Sequence, residues 1–311
     1  MRASSKDHPI VSLTVNSPDG DAAEHLQRAL SELTHFDPTV RVSNPSAGHF
    51  VLAGRRVAQL QVICDRIRDE LHLAIQVSAA KAVLLETIRR TAEAEGKYIR
   101  QSGGRGNYGH CWLLIEPRQP SEGYQFTSEI RGGEVPNEYI RPIEEGVLGA
   151  MESGILAGYP IVDVKVTLSG GSYHEADSNE LAFRFAGSIA FKEAAKKAFP
   201  VLLEPVMTVE VTVPEEQTGT AIVDINSRRG RIGGMELLAG SQLIKAIVPL
   251  SELLGSRSGG LAEFPMEFAG YEEVHHRGGF DGTVPGVPAI LPKVPNQGRG
   301  SIAARHESET E

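Results

Sequence analysis

An α+β fold in three units is what this sequence predicts, and three observations predict it. Two stretches, near 10–78 and 206–268, each carry the element order β-α-β-β-α-β of the split βαβ motif. Between them lies a run of strands followed by two long amphipathic helices. The length, 311 residues, exceeds the ~250 at which a single hydrophobic core usually divides.

In the first unit, Val11, Leu13 and Val15 alternate with polar residues as a half-buried strand does, and Pro18-Asp19-Gly20 supplies a turn. A helix starts at Asp21, keeps Ala22, Leu26, Leu30 and Leu33 at helical spacing, and stops at Asp37-Pro38. Strands over 39–43 and 49–53 flank the turn residues Asn44 to Gly48. A second helix carries Val57, Leu60, Ile63, Ile67 and Leu71, and a last strand runs near 72–78. In the middle unit, Cys111 to Ile115 forms a strand. A helix over 138–157 puts Ile140, Ile143, Val147, Leu148, Met151 and Ile155 on one face and ends at Gly158 before Pro160. Val162, Val164 and Val166 mark a half-buried strand, and a second helix spans 180–199. The third unit has a strand over 206–213, a helix over 215–227, strands over 231–238 and 242–248, a short helical piece at 249–254 and a strand ending at Phe268. The outer units share little sequence, so the repetition is one of architecture. From His275 the recurrent Gly and Pro predict a disordered tail over 275–311.

No apolar run approaches the ~18 residues of a membrane span, and the N-terminal MRASSKDHPI lacks the apolar core of a leader. Two cysteines, Cys64 and Cys111, are too few for a disulfide framework, so a reducing, cytoplasmic setting is expected. The formal charge of −9 opposes non-specific phosphate binding over the whole surface. No membrane or DNA partner is therefore expected, and any RNA contact must come from a local patch.

The densest such patch is Lys97 to His110. Gly103, Gly104, Gly106 and Gly109 permit close backbone approach, Lys97, Arg100 and Arg105 add charge, and Tyr108 offers a stacking surface for an unpaired base. A long flexible hairpin loop explains the same composition. Gly104 to Gly109 also fits G-x-G-x-x-G, with Glu129 at a ribose-binding distance, but the strand Cys111 to Ile115 stands where a dinucleotide site needs a helix. The kinase segments are absent too, and Gly96-Lys97, followed by Tyr98, is no phosphate loop. A second polar loop, Gly170 to Glu180, presents Tyr173 and His174 to a partner. His174, Glu175 and Asp177 lack the spacing of a metal motif, and Asp177 or Ser178 is a candidate helix cap. Arg228, Arg229 and Arg231 form either an RNA-phosphate contact or a solvated turn. The pair His275-His276 is read as fortuitous, and no catalytic residue, metal or cofactor is expected.

Four segments, AEGKYIRQSGGRGNYGH (94–110), 134–168, 171–207 and INSRRGRIGGM (225–235), closely resemble bacterial translation elongation factor G. The resemblance implies that 8–85, 86–203 and 204–274 correspond to that factor's third, fourth and fifth domains, and that its GTPase and second domains have no counterpart here. It implies two ferredoxin-like units flanking a ribosomal-protein S5 domain 2-like unit with a left-handed crossover. It further implies a partner, the ribosome. The fourth domain enters the small-subunit decoding centre and touches ribosomal RNA and the messenger–transfer RNA duplex. Carried over by position, the tip is Gln101, Ser102, Gly103, Gly104, Arg105, Gly106, Asn107, Tyr108 and Gly109, with Ser172, Tyr173, His174, Glu175 and Asp177. Four places depart from the family. Gly54 to Gln59 and Ser78-Ala79-Ala80 replace segments that face a GTPase domain, Gly255 to Gly260 is shortened, and the tail replaces a terminal helix. The expected function is a non-catalytic, ribosome-binding translation protein. The alternatives are half of a split translocase served by a separate GTPase chain, and a scaffold or regulator that has lost the ribosome.

Overall fold

The computed structural model describes residues 8–17, 20–35, 37–46, 48–100, 106–131, 133–254 and 265–274. The fold is mixed α+β, with three separate sheets among those residues. The expectations for Pro18-Asp19, Gln101 to Arg105, Gly255 to Gly260 and the tail from His275 lie outside the described residues.

The first unit comprises β1 (Val11–Asn16), α1 (Gly20–His35), β2 (Arg41–Ser46), β3 (His49–Gly54), α2 (Val57–Asp69), β4 (Gln76–Val77) and β5 (Lys81–Ala82). The sheet order β2-β3-β1-β4 is that of the split βαβ motif. Alternation in β1 buries Val11, Leu13 and Val15 and fixes its register, with Leu13 opposite Leu52. Two details differ from the sequence reading. α2 stops at Asp69, because Glu70 and Leu71 both donate to Arg66 O and His72 turns to φ +52°, leaving Leu71 exposed. The expected strand over 72–78 shrinks to β4, and β5 pairs with the other end of β1 instead.

The middle unit follows as β6 (Leu85–Ile88), β7 (Ala92–Arg100), β8 (Asn107–Pro117), β9 (Gln125–Ser128), α3 (Asn137–Ser153), β10 (Val164–Ser172) and α4 (Glu180–Lys197). Its sheet runs β7-β8-β10-β9, and α3 is the crossover between the parallel neighbours β9 and β10. α4 lies on the sheet at glycine distance, since a Cβ on Gly96 would fall 2.0 Å from Ala186 O. Helix packs on helix the same way: a Cβ on Gly146 of α3 would fall 2.0 Å from Arg184 O of α4.

The helix expected over 138–157 ends at Ser153. Gly154 adopts φ +64°, and the chain then turns its N–H groups onto the carboxylate of Glu86, which is 0% exposed. Ile155 and Leu156 donate to Oε2 at 2.6 and 2.9 Å, and Ala157 and Tyr159 donate to Oε1 at 2.8 and 3.1 Å. A buried carboxylate is a stronger acceptor than helical carbonyls, so it ends the helix four residues early.

The third unit is β11 (Pro200–Pro214), α5 (Thr218–Ser227), β12 (Arg231–Leu238), β13 (Ser241–Pro249), α6 (Leu250–Leu254) and β14 (Met266–Glu273), in the order β12-β13-β11-β14. Residues Glu215–Gln217 form a 3₁₀ turn ahead of α5 rather than its first turn. β11 starts at Pro200, not Val206, because its first four residues pair with β6, which joins the third sheet through this ladder, before the strand meets β13.

Burial divides into clusters that the order of units does not announce. Cys111, Leu113, Ile115, Ile143, Val147, Val166, Phe183 and Phe191 belong to the middle core. Leu13, Leu30, Phe50 and Leu60 of the first unit share a single cluster with Val209, Ile244, Val248 and Leu253 of the third. Tyr271 Oη reaches across that join to Pro9 O at 3.0 Å and Val83 O at 3.2 Å. Among the described residues no helix is long and apolar enough to cross a membrane.

Candidate nucleic-acid interface

The β7–β8 hairpin and the β10–α4 connection meet at one end of the middle sheet. Of the first segment, Gly106 to Gly109 are described, and Asn107, Tyr108 and Gly109 already belong to β8. Of the second, Ser172 closes β10, and Tyr173, His174, Glu175 and Asp177 follow it. A bulge in β10 between Leu168 and Gly170 shifts its register by one residue, and this sets Ser172 opposite His110.

Ser172 Oγ then lies 2.8 Å from Tyr108 Oη and 2.7 Å from His110 Nδ1. His110 Nε2 is 2.9 Å from Glu95 Oε1 but off the line of a hydrogen bond, so the contact becomes a charge pair only when the imidazole is protonated. Hydrogen bonds from Tyr108 through Ser172 to His110 fix the tyrosine ring. His174 stands beside that ring, with centroids 6.3 Å apart and planes at 53°, and its side chain is 60% exposed. Tyr173 is exposed as well. Two aromatic rings side by side offer stacking to unpaired bases.

The helix cap is neither Asp177 nor Ser178. Asn179 caps α4, its Oδ1 accepting from Ala182 N at 2.9 Å. Both other residues are already committed: Asp177 Oδ1 accepts from Gly106 N at 2.9 Å, and Ser178 Oγ accepts from His174 N at 2.9 Å. Composition pointed to the two segments and offered Ser178 only as a helix cap, but missed Asn179, His110 and Glu95. The position of Asn179, one residue before the helix, was the only local signal among them.

The three arginines of the third unit are not brought to this end. Arg228 is buried, with Nε 3.1 Å from both oxygens of Asp224. Arg229 turns inward: Nη2 donates to Glu204 Oε2 at 2.9 Å and Nε to Glu252 Oε1 at 2.7 Å. These hydrogen bonds and charges hold its guanidinium well above the usual arginine range. Arg231 is the exposed one, paired with Glu272. Burial pushes the Cys111 thiol up to about 12 and raises that of Cys64, so neither is poised for nucleophilic chemistry. Among the described residues, no three His, Cys, Asp or Glu side chains gather as a metal site would need.

Comparison with known proteins covers most of the chain. Residues 7–79 match the family model Elongation Factor G, domain III; residues 82–199 match Elongation factor G, domain IV; residues 201–277 match Elongation factor G C-terminus. Among solved structures, a protein of Thermus thermophilus is similar at 36% identity and a TM-score of 0.65. The match covers 86% of this chain and 41% of that one, so the present chain spans about two fifths of that relative's length.

Proposed function

Because this chain belongs to the elongation factor G family through domains III, IV and the C-terminal domain, we propose that it is a cytoplasmic, non-catalytic protein that binds the ribosome. On this reading the end of the middle unit is directed at the small-subunit decoding centre, where it meets ribosomal RNA and the messenger–transfer RNA duplex. The observation that carries the reading is the meeting of two segments distant in sequence, which sets Tyr108 and His174 side by side at an exposed end. Lys97 and Arg100 are exposed on β7, which leads toward that end, and place positive charge on the approach to it in an otherwise acidic protein.

Co-sedimentation of purified protein with ribosomes and isolated small subunits, with and without GTP, tests the proposal. Small-subunit binding that is independent of GTP and protects decoding-site RNA from chemical probes is the expected result. Binding only after a separate GTPase chain is added would replace this reading with a split translocase. No binding to any ribosomal particle would leave a scaffold or regulator.

A further inference from the structure

A carboxylate on an RNA-facing surface repels phosphate, so Asp177 in the middle of the tip needs a physical reason. The structure supplies one. Asp177 Oδ1 accepts from Gly106 N at 2.9 Å, its backbone O accepts from Tyr108 N at 2.8 Å, and its Oδ2 sits 3.5 Å from His174 Nδ1. The approach is tight: a Cβ on Gly106 would lie 3.0 Å from the Asp177 carboxyl carbon, so a side chain there would push the carboxylate aside by a few tenths of an ångström. Two residues on, Asn179 uses its amide twice. Oδ1 caps α4, and Nδ2 donates to Asn107 Oδ1 at 2.8 Å. His174 is held to the same strap by reciprocal bonds with Ser178, His174 N to Ser178 Oγ and Ser178 N to His174 O, both 2.9 Å.

We propose that Asp177 and Asn179 are positioning residues. They clasp the start of β8 to the β10–α4 connection, so that Tyr108 and His174 present one preformed aromatic notch to an unpaired RNA base. The proposal rests on the ribosomal reading above for its ligand, but not for its geometry. Asp177 belongs to the tip as a clasp, not as an RNA contact. Preorganisation of this kind removes the ordering cost of two loops at the moment of binding.

Three full-length variants separate the roles. Asp177→Ala removes the side-chain bond of the clasp. Asp177→Asn removes the charge but keeps an oxygen for Gly106 N, and its new N–H can face the His174 nitrogen. Asn179→Ser keeps a good helix cap and is too short to reach Asn107. Amide hydrogen exchange at Gly106 and Tyr108 reads the clasp directly. Affinity for small subunits, measured across a salt series, reads its consequence. In Asp177→Ala, exchange at Gly106 should rise about tenfold or more, as the loss of its charge-assisted acceptor implies, with a smaller rise at Tyr108, whose acceptor is the backbone O of residue 177. Affinity should fall about tenfold at every salt concentration, the salt slope staying constant because no phosphate contact is lost. Asn179→Ser should follow it in part, and Asp177→Asn, which keeps the acceptor without its charge, should recover most of both readouts.

Wild-type exchange and affinity in Asp177→Ala would overturn the proposal. So would an Asp177→Asn variant that behaves like Asp177→Ala, or one that binds more tightly than wild type, since either makes the charge the active feature. If wild-type protein binds no ribosomal particle, the functional reading fails, and the exchange data alone then decide whether the clasp exists.

Discussion

Replacing Glu86 by alanine should be among the most damaging single changes in this protein. The side chain is 0% exposed and its two oxygens each accept two backbone N–H groups, from Ile155 and Leu156 and from Ala157 and Tyr159. Bonds to a charged acceptor contribute ~1.5–3 kcal/mol each taken singly, but four on one group are not additive. A buried N–H left without an acceptor costs about 1–3 kcal/mol, and with four donors losing one shared group, non-additively, about 3–5 kcal/mol in all is the expected effect. At roughly 2–4 °C per kcal/mol for a chain of this size, Tm should drop by about 10 °C. Glu86→Gln keeps the shape but turns an N–H₂ group toward donors, so it should fall between wild type and alanine. Scanning calorimetry with urea unfolding followed by circular dichroism measures both variants. A drop below ~2 °C for alanine, or a glutamine variant as stable as wild type, would show that water satisfies the 155–159 turn and that the carboxylate does not hold it.

The arginines of the third unit should divide sharply in urea unfolding. Arg229→Ala strands Glu204, whose side chain is 5% exposed, and should cost ~3–5 kcal/mol, whereas Arg231→Ala breaks a pair with side chains 62% and 37% exposed and should cost under ~1 kcal/mol. Equal effects would contradict the inward placement of Arg229. Gly96→Ala forces a Cβ to within 2.0 Å of Ala186 O and should destabilise by at least ~1–3 kcal/mol, with near-UV circular dichroism reporting the displaced α4. Neither cysteine should react with an aromatic disulfide at pH 8 until the protein unfolds. The Cys111 thiol ionises near 12 in the fold against about 9 ordinarily. Its contribution to stability is therefore complete below about 9 and is lost as pH rises toward 12, at ~1.4 kcal/mol per unit. Rapid labelling of native protein would refute the burial argument.

Local patterning carried most of the architecture. The period-two run at Val11, Leu13 and Val15 and the bounds of β12 at Arg231–Leu238 are visible in the sequence because they depend on near neighbours alone. What escaped depends on partners far along the chain. The early end of α3 needs Glu86, nearly seventy residues upstream, and the inward turn of Arg229 needs Glu204 on another strand. The helix cap shows the same limit at close range. Asp177, Ser178 and Asn179 are all good capping residues, and only the commitment of the first two to Gly106 and His174 leaves the task to the third. Composition found both segments of the candidate interface, since glycine and aromatic content is local. The network that orients Tyr108 runs through Ser172 and His110 on separate strands, and no spacing rule encodes a bulge-shifted register.

The long strand β11 has a mechanical consequence. Fifteen residues of extended chain span about 50 Å, and within one sheet they run without interruption from the ladder with β6, an element of the middle unit, to the ladders with β13 and β14. A beam shared by two bodies is a weld rather than a hinge. A sideways load on the end that carries Tyr108 and His174 would reach β13 and β14 as shear along their hydrogen-bond ladders, where many bonds must yield together. The middle and third units would therefore move together under such a load.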